Sequence, residues 1–72
     1  MATGRRQSEK RPSLKEIADR AAAEAEGQAI RLALQATRGN KSEAARLLSI
    51  DYKTLHLKMK RYGIHAREFL AS

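Results

Sequence analysis

The chain has 72 residues, no cysteine and a formal net charge of +7. That length allows one small domain, which buries only about 60% of its unfolded surface, and neither a disulfide nor a thiolate metal site supplements it. Its two histidines, His56 and His65, stand nine positions apart and cannot close a structural zinc site. No cofactor or metal is therefore expected. No apolar run approaches the roughly 20 residues of a membrane span. The N-terminus has charge but no apolar stretch after it, so no secretory signal is visible, and the compartment expected by default is the cytoplasm. A core this small is either unusually economical or completed by a second chain, and the second chain is favoured.

Residues 1–12 carry Arg5, Arg6, Lys10 and Arg11 against Glu9, a local charge of +3, with no apolar periodicity. Small, polar and charged residues of this kind make a flexible basic linker or leader. Its cations serve either solubility or a weak contact to phosphate.

Pro12 and Ser13 announce a helix, and Ser13 with Glu16 has the spacing of a capping box. From there Leu14, Ile17, Ala18, Ala21, Ala25, Ala29, Leu32 and Ala36 recur with helical period. Gly27 interrupts this run, as a bend or as a close approach to another backbone. Beyond it a second apolar edge adds Ile30, Ala33 and Leu34. The later half of the helix thus needs two partners, and the earlier half has nothing left in its own chain to cover it. Symmetric pairing of two long helices buries both. The expected pairing seam is Leu14, Ile17, Ala18, Ala21, Ala25, Ala29, Ile30 and Ala33. Residues 13–38 are neutral overall, and Gly39 is placed to end the helix as a left-handed cap.

A short helix follows from about Lys41 to Leu48, capped by Asn40 or Ser42, with Ala44, Ala45, Leu47 and Leu48 facing inward. Ser49 takes a turn position where glycine is more comfortable if the backbone is left-handed. Ile50 plugs the space beneath the turn, and Asp51 caps a third helix over residues 52–62.

Wound at 100° per residue, that third helix divides into faces. Leu55, Met59 and Tyr62 form the core side; Lys53, His56, Leu57 and Lys60 form the opposite side. Thr54, Lys58 and Arg61 lie on one flank and Tyr52 on the other. Residues 39–64 carry a charge of +4, and Gly63 with Ile64 closes the helix. A basic outer face on a short helix after a tight turn is the build of a helix-turn-helix. Tyr52, Lys53, His56, Leu57 and Lys60 are candidates for base edges in the major groove. Asn40, Lys41, Ser42, Thr54, Lys58 and Arg61 are candidates for phosphates, which fix register without reading sequence. Residues 65–72 read as a C-terminal tail whose Phe69 and Leu70 either extend a short helix onto the core or fray.

The run Arg38-Gly39-Asn40, Ser42, Ala44-Ala45 and Leu48, then Thr54-Leu55, Lys58-Met59-Lys60 and Tyr62-Gly63-Ile64, resembles the Fis-type helix-turn-helix. That family includes the nucleoid protein Fis and the C-terminal DNA-binding domains of NtrC-like enhancer-binding activators. The resemblance covers residues 13–64 and implies an all-α domain, a homodimer made through long N-terminal helices, and paired recognition helices in successive major grooves. Two departures stand out. Tyr52, His56 and Leu57 fill positions where the family usually has Arg or Lys, and Ser49 replaces the usual turn glycine.

Of the two branches the NtrC-like one is preferred, because the basic leader resembles the end of an interdomain linker. ATPase and regulatory domains are then expected upstream, and the site of action is the bacterial nucleoid. The alternatives are a Fis-like architectural protein that bends DNA and, further off, a dimerisation module for an acidic protein. Sparse aromatics argue against an RNA-stacking platform. No phosphate loop, no nucleophile with a nearby base and too little chain to enclose a substrate argue against an enzyme.

Overall fold

The computed structural model describes residues 11–70, so most of the basic leader, residues 1–10, and the final Ala71 and Ser72 lie outside it. Three α-helices and one 3-10 turn follow in order: α1 (Leu14–Thr37), α2 (Lys41–Leu47), α3 (Tyr52–Tyr62) and the turn Ala66–Phe69. The fold is all-α, a long first helix followed by a helix-turn-helix.

The start of α1 is the capping box expected at Ser13. The Glu16 amide donates to Ser13 Oγ at 3.2 Å, and the Ser13 amide donates to Glu16 Oε1 at 3.2 Å, so two amides at the helix start gain partners. The helix then runs unbroken through Gly27 for 24 residues. Gly27 is buried, and a Cβ there would stand 4.0 Å from Tyr62 Cδ2. The nearer neighbour is Arg31 Nη1 at 3.4 Å, and both are ordinary contact distances, so neither a bend nor a close approach marks the position.

The end of α1 differs in detail from expectation. Arg38 itself takes the left-handed conformation (φ 57°) that stops the helix, and Gly39 follows with φ 81°. The Gly39 amide donates to Leu34 O at 2.8 Å, closing the helix end. Glycine is needed one residue later than the cap for steric reasons as well. A Cβ at Gly39 would sit 2.8 Å from Leu70 Cδ2 and 2.9 Å from the Ala66 carbonyl. The C-terminal turn docks there against bare backbone.

Asn40 caps α2, with its side-chain oxygen accepting from the Glu43 amide at 3.1 Å. Ala44 and Ala45 are buried, and their small size lets α2 lie close on its neighbours. Leu48 packs half-buried on the core, whereas Leu47 is 61% exposed, against the expectation that both face inward. At 100° per residue the inward arc of Ala44, Ala45 and Leu48 leaves Leu47 roughly 100° off its centre. Ser49 is left-handed (φ 59°), and Ile50 donates its amide back to Ala45 O at 3.0 Å while its side chain packs on the core.

Asp51 occupies the cap position of α3 without a side-chain cap hydrogen bond; the neighbouring Thr54 hydroxyl holds its carboxyl below the usual range. Gly63 (φ 68°) ends α3, and the Ile64 amide turns back to Met59 O at 2.8 Å, burying the isoleucine. Nothing would touch a Cβ at Gly63, so backbone conformation alone calls for glycine there.

The core is Ile30, Ala33 and Leu34 of α1, Ala44 and Ala45 of α2, Leu55 and Met59 of α3, and Ile64. Ile30 and Ala33, expected in the pairing seam, are corrected by this: at 2% and 6% exposed they belong to the chain's own interior. The reason is that α2 and α3 both pack on the later half of α1, which takes up its second apolar edge. The rest of the seam, Leu14, Ile17, Ala18, Ala21, Ala25 and Ala29, is exposed. Phe69 packs half-buried against the core and Leu70 is largely exposed, so the tail forms a docked turn.

Serine bears the left-handed turn at position 49 at a cost of about 1–2 kcal/mol, partly offset because glycine loses more freedom on folding. Ser49→Gly is therefore expected to stabilise the fold by roughly 0.5–1 kcal/mol. A higher urea midpoint with unchanged slope, at equal protein concentration, is the expected readout; a lower midpoint contradicts it.

Candidate nucleic-acid interface

α3 has two unlike sides. Leu55 (0% exposed) and Met59 (5%) point into the core, and Lys53, His56, Leu57 and Lys60 are all exposed on the reverse. Burying the apolar pair fixes the rotation of α3, and that rotation turns the three polar residues and Leu57 outward together. Leu57 is 57% exposed, an apolar side chain facing outward among cations.

Tyr52, at the start of α3, is exposed and stacks on His56 one turn later, with ring centroids 6.3 Å apart and planes 17° from parallel. Lys41 Nζ lies 5.9 Å from the Tyr52 ring centroid, within range of a cation–π contact. Tyr52, His56 and Lys41 thus form one cluster bridging α2 and α3. Ser42 is exposed beside Lys41; Asn40 is exposed too, with its side-chain oxygen engaged by the Glu43 amide.

The opposite flank of α3 holds Thr54, Lys58 and Arg61. Arg61 is exposed, and Thr54 and Lys58 are half-buried. Lys58 has a partner within the chain: its Nζ lies 2.9 Å from Glu26 Oε1 on α1. The same oxygen accepts a 2.5 Å hydrogen bond from the Tyr62 hydroxyl. Glu26 therefore binds two residues of α3, one turn apart, to the long helix. The Tyr62 hydrogen bond, with Lys58 adding to it, holds the Glu26 carboxyl below its ordinary value, and Glu26 in turn raises the Tyr62 phenol. Sequence reasoning missed this clamp. Glu26 and its partners are 32 and 36 positions apart, a separation that carries no periodic signal.

Among the described residues no helix is long and apolar enough to cross a membrane, and no cluster of His, Asp or Glu is arranged to hold a metal. The bacterial regulatory protein, Fis family, model matches residues 21–62. No curated protein and no solved structure gives a significant match.

A lowered carboxyl pKa contributes stability above its unfolded value and loses it as pH falls through the folded value. For Glu26 the window opens below its ordinary value of 4.5. Wild-type unfolding free energy should therefore drop more between pH 7 and pH 3 than that of Glu26→Gln, measured by urea titration. Equal drops in the two proteins contradict the clamp.

Proposed function

Since the chain belongs to the Fis family of bacterial regulatory proteins, a family of helix-turn-helix DNA-binding domains that are not enzymes, we propose that it binds duplex DNA sequence-specifically as a homodimer. The observation that carries this reading is the outer face of α3, with Lys53, His56, Leu57 and Lys60 exposed opposite the buried Leu55 and Met59. A helix about 10–12 Å across fits the major groove, which is about 12 Å wide.

In this reading Lys53, His56 and Lys60 present hydrogen-bond donors to base edges, and Leu57 meets a thymine methyl. Tyr52, stacked on His56, sets the orientation of that ring at the groove. Lys41, Ser42, Thr54 and Arg61 contact phosphates on the two sides, with Asn40 combining its cap role with the same strand. Lys58 reaches phosphate only by sharing or leaving Glu26.

Dimerisation is supported by the exposed stripe on α1. Leu14 and Ile17 are 81% and 52% exposed, and Ala18, Ala21, Ala25 and Ala29 continue their line. A second copy pairing along this stripe would bury Leu14 and Ile17, and the small alanines allow close helix approach. The pair then offers two α3 helices to successive major grooves. The basic leader has the composition of an interdomain linker, which favours the DNA-binding end of an NtrC-like activator. In that role the domain brings ATPase and regulatory domains of the same protein to upstream enhancer sites.

Ile17→Asp tests the assembly. It should yield monomers by sedimentation equilibrium and weaken duplex binding by about 100-fold or more as the second half-site is lost. A variant that stays dimeric with unchanged affinity overturns the long-helix pairing.

A further inference from the structure

A cleft of about 360 Å³ opens between the start of α2, the His56–Lys60 edge of α3 and the segment entering the C-terminal turn. Its walls carry Lys41, His56, Lys60, His65 and Arg67, with no carboxylate among the described residues that line it. His65 and Arg67 lie beyond residue 62, where the family match ends.

The position of the cleft relative to α3 gives it meaning. The outer face of α3 runs between this cleft and a smaller one lined by Thr54, Leu57, Lys58 and Arg61 on the other flank. A helix lying in a major groove has a phosphodiester strand along each side. Each cleft therefore faces one strand. We propose that the larger cleft seats a backbone phosphate of the bound duplex, with His65 and Arg67 as its outer contacts. This deepens the DNA-binding reading and rests on it.

The backbone behind Arg67 is held in place. Phe69 packs on the core, the Glu68 amide donates to His65 O at 3.0 Å, and the turn docks where Gly39 lacks a Cβ. A guanidinium carried on fixed backbone loses less freedom on meeting phosphate than one on a free tail. Arg also pairs with phosphate oxygens through two parallel donors, which a point charge does not. The C-terminal turn thus adds cationic contact to an interface whose α3 has Tyr52, His56 and Leu57 in its outer half.

Anisotropy titrations of the full chain against a labelled duplex, at salt concentrations from about 50 to 200 mM, test the cleft. Arg67→Ala should flatten the slope of log affinity against log salt by about 1.8, the release of one counterion (about 0.9) at each copy in the dimer. Over that range the wild type then loses about 12-fold more affinity than the variant. Arg67→Lys should recover most of the slope. Arg20→Ala, an equal charge change on the exposed early part of α1, should leave it unchanged. A folded Arg67→Ala protein with the wild-type slope, or one matched by Arg20→Ala, overturns the cleft while leaving duplex binding intact. A wild-type protein that binds no duplex at low salt overturns the DNA-binding reading and the cleft together.

Discussion

Everything on the surface of α3 depends on the burial of two leucines. Leu34 on α1 and Leu55 on α3 are both fully buried, and they join the long helix to the helix carrying the candidate interface. Burying such a side chain is worth about 1.5–3 kcal/mol. Turning α3 by one residue, roughly 100°, would expose Leu55 and drive a lysine toward the core, where an unpaired charge is far more costly. Met59, one turn after Leu55 and 5% exposed, holds the same rotation. The outward placement of Lys53, His56 and Lys60 is a consequence of where the grease is.

The Glu26 clamp acts on the same relationship with less force. Its pair with Lys58 is part-exposed, so solvent screens much of the attraction. Its value is geometric: one carboxylate oxygen meets both Lys58 and Tyr62 and so sets how α3 lies across α1. Hydrophobic burial holds α3 down and the clamp trims its angle. Among the described residues the core has eight buried side chains, all from residue 30 onward, so the first half of α1 contributes none of them. A fold with so little interior gains from a second copy covering Leu14 and Ile17.

Local chemistry was the readable part of this sequence. The Ser13–Glu16 box, a cap for α2 at Asn40 or Ser42, the turn at Ser49, the Gly63–Ile64 closure and the two faces of α3 each follow from a few adjacent residues, and the structure selects Asn40 as the cap and the left-handed conformation for Ser49. Each is in place in the structure. What was not readable came from packing between distant segments. Ile30 and Ala33 satisfied the periodicity of a pairing seam equally well, and only the docking of α2 and α3 decides that they are interior. Arg38 rather than Gly39 stops α1, and Gly39, also at positive φ, admits Leu70 and Ala66 from the far end of the chain. Leu47 faces out because Ala44, Ala45 and Leu48 define the inward arc of α2 and Leu47 lies to one side of it. Of the candidate contacts, the α3 face was legible from periodicity. The engagement of Lys58 by Glu26, and the union of Lys41 with the C-terminal turn around one cleft, required three dimensions.

Chemical-shift mapping on adding a duplex tests the central claim most directly, because every residue reports at once. The account predicts that Lys53, His56, Leu57 and Lys60 shift most. Leu55 and Met59 behind them, and Leu14 to Ala25 on α1, should respond weakly. Strong shifts confined to α1, with the outer face of α3 silent, would contradict it.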